Sequence, residues 1–198
     1  MRLTVVDELG TVLHMRWKAL FDDLEAQVEA AAAAELEGEV RDRTRREVGL
    51  LGMLDRLRPA RGSWLTLTVA GAGSTQGRLL DVGPDWLLLQ ERTSGELLVP
   101  LGAVLAIGGL SRRAEMPGKR DEVARRLDLR WALRGLARDR APVHVLLRDG
   151  SALDGTLDRV GADYVDLAEH PQGEARRAAA VQGVRLVPLQ ALAMVRQA

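Results

Sequence analysis

The chain has 198 residues, 46% of them hydrophobic and only 3% aromatic, and its 28 basic and 28 acidic residues cancel. That composition excludes a disordered polyelectrolyte and requires cores built from Leu, Val and Ala. With no cysteine, disulfides, thiolate zinc sites and cysteine nucleophiles are excluded.

Residues 1–12 read as an extension ahead of the first strong pattern. Asp7 and Glu8 interrupt it before an apolar h-region develops, so no secretory signal is read and a cytoplasmic protein is expected. No apolar run reaches the roughly 20 residues that a membrane span needs. From Leu13 to about Leu57 the pattern is helical. Leu13, Trp17, Leu20, Leu24, Val28 and Ala31 recur at spacings of three and four. A break is expected near Gly49, and a short helix should end before Pro59. Trp17, Leu20, Phe21 and Leu24 form the densest apolar patch of this segment, the natural place for a helical dimer seam or a partner. The segment is acidic: residues 1–40 hold nine carboxylates against three basic residues. Asp22 and Asp23 read as part of that acidic side rather than as an acid–base pair.

After Arg61 the period becomes two. Trp64–Val69 alternate as a strand. "TQGRLLDV", "WLLLQE", "LLVPL" and "AVLAI" follow as four more, separated by Gly-containing turns. A helical pattern returns from Glu122 to Arg138, and then the strands recur. "GRLLDVGPDWLLLQE" (77–91) aligns with "GTLDRVGADYVDLAE" (155–169), and "LVPLGAVLAI" with "LVPLQALAMV". The offset is 78 at Gly77 and Gly155 and 88 at Pro100 and Pro188. The ten extra residues fall in the loop "HPQGEARRAAAVQG". The similarity reaches back into the preceding helix, where "LDRLRPARG" matches "LRGLARDRA". A duplicated unit of one helix and five strands explains this, because insertions settle in loops and leave strand register intact. Each proline of "VPL" suits the start of a 3₁₀ turn between the fourth and fifth strands.

A helix, five bent strands and that turn resemble the Sm-like fold of the Sm and LSm proteins and the bacterial RNA chaperone Hfq. "VHVLLRDGSALDGTLDRVGADYVDLAE" is similar to the first Sm motif. The chain is also similar to bacterial proteins with an acidic N-terminal helix. The resemblance implies an α+β protein: a long N-terminal helix, then two tandem five-stranded Sm-like (SH3-like) small β-barrels, each preceded by a helix. Its parts are an N-terminal helical segment at 1–60, a first barrel at 61–110, a basic linker and helix at 111–141, and a second barrel at 142–198. The RNA chemistry of the family matches less well. Leu88 and Asp166 stand where an Asn would read a base, and Arg196 alone remains of the Arg-Gly expected after the fifth strand.

His14, His144 and His170 are scattered and offer no converging set. "AGAGSTQG" lacks the GKS/T ending of a phosphate loop and reads as a turn. No enzyme signature is present, so neither cofactor, metal nor small-molecule substrate is expected. Residues 111–140 hold ten basic residues against five acidic ones. Two functions fit. The first is a non-enzymatic protein–protein interaction, scaffold or regulatory protein that self-associates or binds a protein through Trp17, Leu20, Phe21 and Leu24 and its barrel surfaces. The second is an RNA- or DNA-binding regulator that contacts phosphates with Arg125, Arg126, Arg130, Arg134 and Arg196.

Overall fold

The structure is a computed structural model that describes residues 6–93, 95–115, 126–171 and 181–197. It divides into two units, Met1–Leu50 and Leu51–Ala198. The first unit is helix α1, Val6–Leu50. Its start at Val6 lies inside the segment read from sequence as an extension. Alanines and long charged side chains favour this helix. Local pairs decorate it, with Arg41 2.7 Å from Glu37 and Arg43 3.0 Å from Glu47, each four residues apart.

In the second unit, α2 (Met53–Leu57) leads through one 3₁₀ turn into β1 (Trp64–Val69), β2 (Gly73–Val82), β3 (Trp86–Gln90), β4 (Glu96–Pro100) and β5 (Val104–Gly108). Helix α3 (Leu129–Asp139) then precedes β6 (Pro142–Leu147), β7 (Ala152–Val160), β8 (Tyr164–Glu169), β9 (Gly183–Pro188) and β10 (Leu192–Gln197). The repeat is visible in fine detail. Register shifts fall between Leu79 and Asp81 in β2 and between Leu157 and Arg159 in β7, at matching positions. Such bulges sharpen the bend of a strand. Pro100 and Pro188 each end a strand and open one 3₁₀ turn, Leu101–Ala103 and Leu189–Ala191.

The strands do not close into two separate barrels. They form one antiparallel sheet in the order β5-β1-β2-β3-β4-β10-β6-β7-β8-β9, open at both ends. The physical reason is the pairing of β4 with β10, in which Leu98 faces Val195 and Leu97 faces Arg196. The cores are shared across this junction. Ala193 and Met194 of β10 join the first core, with Leu57, Leu65, Leu67, Leu79 and Leu89. Trp86 and Leu98 of the first repeat join the second, with Leu133, Val143, Val145 and Leu157. Alternating apolar residues dictate which segments are strands and which faces are buried. They leave open which edges meet, and here the two repeats meet each other.

Among the described residues no helix is long and apolar enough to cross a membrane.

Candidate interaction site at the junction of the repeats

The junction is built on a corner of the first repeat. The turn Gly83-Pro84-Asp85 folds the Trp86 ring back over Gly83. A Cβ on Gly83 would lie 2.2 Å from the indole nitrogen, so only glycine fits. Trp86 is 5% exposed. Its Nε1–H donates to the carbonyl of Leu127 at 2.9 Å. One residue earlier, the Asp85 carboxylate accepts the Leu129 amide at 2.7 Å. The first turn of α3 is thereby seated on the first repeat, although α3 precedes the second in sequence. Its own cap is Asp128, which accepts the Trp131 amide at 2.9 Å and the Arg130 Nε–H at 2.7 Å.

These two carboxylates sit in opposing electrostatic surroundings. Burial pushes the Asp85 carboxyl above its ordinary value, and the charge of Asp128 adds to this against the Leu129 hydrogen bond. Burial also acts upward on Asp128. The Trp131 amide, Arg130 and Arg134 together outweigh it and hold that carboxyl below its ordinary value.

Beside the corner lies a cavity of about 180 Å³. Trp86, Leu98, Trp131, Leu136 and Val195 line it, with Glu96 and Gln197 among its polar lining. Further along the junction, Arg196 of β10 donates to Glu91 from Nε at 3.0 Å, and its Nη2 lies 2.9 Å from the same carboxylate. Thr75 donates its hydroxyl to the other oxygen of Glu91 at 2.7 Å. Arg196 is therefore occupied by a neighbouring carboxylate.

Arg130 is ion-paired with Asp128, while Arg126 and Arg134 are exposed. Arg125 lies outside the described residues. Trp17, Leu20, Phe21 and Leu24 lie on one face of α1 by helical spacing. The side chains of the first three are outside the described residues, and Leu24 is exposed.

Two polar pairs in the second repeat were not signalled by sequence. His144 Nδ1 is 2.8 Å from Asp154 Oδ1, which follows from their direct opposition in the β6–β7 register. His170 is buried with Thr156. Its Nδ1 lies 3.1 Å from the Pro171 carbonyl, which requires a proton there, so Nε2 accepts from the Thr156 hydroxyl at 2.8 Å. Among the described residues no three His, Asp or Glu side chains are grouped to hold a metal. Comparison with models of known protein families and with curated proteins finds no match.

Proposed function

We propose that this is a non-enzymatic cytoplasmic interaction protein whose molecules associate edge to edge through the open ends of the sheet. One observation carries this reading. The chain already contains such an association, β4 against β10, and two residues buried beside it have exposed counterparts at the free edges. Leu98 in β4 is 5% exposed, and its counterpart Leu186 in β9 is 59% exposed. Ala193 in β10 is fully buried, and its counterpart Leu105 in β5 is 69% exposed. An edge strand offers unpaired N–H and C=O groups, and apolar residues beside them add affinity. Pairing β9 of one molecule with β5 of the next would repeat the internal junction head to tail. Kinship with the Sm-like proteins is a companion proposal, supported by the duplicated helix-and-five-strand unit.

Nucleic-acid binding is the weaker reading. Arg196 and Arg130 are both held by carboxylates, which removes two of the cations it would use.

The test is light scattering on three proteins. The wild-type chain should show mass that rises with concentration above 21.6 kDa. Leu186→Arg and Leu105→Arg, each at an exposed position, should stay monomeric alone. Mixed, they should form a heterodimer through the one edge each retains. A wild-type chain that is monomeric at all concentrations overturns the proposal.

A further inference from the structure

The second repeat presents the same corner as the first, but open. Gly161 donates to the Tyr164 carbonyl at 2.8 Å, as Gly83 donates to that of Trp86 at 2.9 Å. Leu189 donates to the Asp163 carbonyl at 2.7 Å, as Leu101 donates to that of Asp85 at 2.8 Å. Tyr164 folds over Gly161 so closely that a Cβ there would lie 2.3 Å from the ring. In the first repeat this corner holds the first turn of α3. In the second repeat, Asp163, Tyr164, Leu186, Pro188 and Leu189 surround an open cleft of about 570 Å³.

We propose that this cleft receives helix α2 of a second molecule, with Met53 packed on Tyr164 and Leu186. The inference rests on the edge-to-edge reading and names what accompanies it. At the internal junction, the strand and the helix that reach the first repeat, β10 and α3, both belong to the second repeat. The matching elements at the free end are β5 and α2, both of the first repeat. A neighbour that pairs its β5 with β9 therefore brings its α2 toward the cleft.

The residues agree with that placement. In the alignment of the two pre-strand helices, Met53 corresponds to Ala132. Ala132 packs against the cluster that contains Trp86 and Leu98. Met53 has no such cover and is 49% exposed. Helix α2 is 5 residues long where α3 has 11, and it begins later relative to its following strand. The longer thioether side chain then fills space that the first turn of α3 fills at the other corner. Methionine suits the task, because sulfur contacts aromatic edges favourably and the flexible chain adapts to an irregular cleft. Tyrosine also supplies a hydroxyl donor where tryptophan supplies an indole N–H.

The experiment uses the full chain with the photo-reactive residue benzoylphenylalanine introduced at Tyr164, and separately Met53→Asp. Under conditions where the wild type associates, irradiation should give a crosslinked dimer whose captured peptide contains residues 51–57. Met53→Asp, at an exposed position that leaves folding intact, should weaken self-association about tenfold or more. Capture at another segment overturns the docking. So does wild-type association by Met53→Asp while Leu105→Arg abolishes it, and in that case edge pairing stands. A chain that never associates overturns both.

Discussion

Trp86 of the first repeat packs in the core of the second and bonds to the Leu127 carbonyl, and its removal has a calculable cost. A tryptophan this buried withdraws roughly 200 Å² from water, worth about 5 kcal/mol at ~25 cal/mol per Å². Large-to-small replacements of buried aromatics cost about 3–5 kcal/mol in practice, so Trp86→Ala should fall in that range. Trp86→Phe keeps most of the ring and loses the donor to the Leu127 carbonyl. Leu127 is partly exposed, so water can replace that donor and the cost should be about 1–2 kcal/mol. Urea unfolding measures both, as a lower midpoint at unchanged slope. A third variant isolates the cause. Gly83→Ala drives a methyl into the indole and should be strongly destabilising in the wild type. In the Trp86→Ala background the space is empty and the same change should cost little. If Gly83→Ala is equally costly in both backgrounds, the glycine serves its own backbone and the account of the corner is wrong.

Asp128→Ala should cost about 1 kcal/mol at neutral pH through loss of the α3 cap. Because the folded state holds this carboxyl below its ordinary value, its contribution is present above about pH 4 and fades as pH falls through the lowered value. The gap between variant and wild type should therefore narrow in acid; a gap constant down to pH 2 would refute the assignment. Thr156→Val preserves shape but strips the buried His170 Nε2 of its donor, and should lower stability by about 1–3 kcal/mol. Thr156→Ser should retain most of it, and a loss in Thr156→Ser without one in Thr156→Val would show that the methyl, not the hydroxyl, matters.

Much of the local architecture is legible in the chain. The two-residue period marks the strands, and Pro100 and Pro188 mark the short turns that follow β4 and β9. The matching glycines of the aligned segments place both aromatic corners. Each of these depends on residues a few positions apart, where steric and hydrogen-bond preferences act directly. What the chain conceals is pairing at long range. Asp85 meets Leu129 across 44 residues, and Glu91 meets Arg196 across 105. The apolar run in "ELLVP" is the same whether its partner is a strand of its own repeat or of the other. Two closed barrels satisfy that pattern as well as one open sheet, and only the three-dimensional pairing of β4 with β10 separates them. The same blindness hid His144 from Asp154, since their contact needs the β6–β7 register.

The two ends of the sheet are unequal, and the difference bears on the proposed association. In β4 the residue before Leu98 is Leu97, fully buried; its counterpart in β9 is Arg185, which is exposed and ion-paired with Glu169 at 3.0 Å. A charge on an edge strand suppresses indiscriminate pairing, because an incoming strand must accommodate it. In the proposed association Arg185 would lower the affinity of the free edge relative to the internal junction, while the exposed Val184 and Leu186 leave that edge apolar. On the opposite end, Gly108 and Gly109 stand where β10 has Arg196 and Gln197, so the ion pair to Glu91 has no equivalent there. An edge association built from these parts lacks both the buried leucine and the cross-strand ion pair of the internal one. On the proposed reading, the contact between molecules would be weaker than the contact between repeats and reversible with concentration.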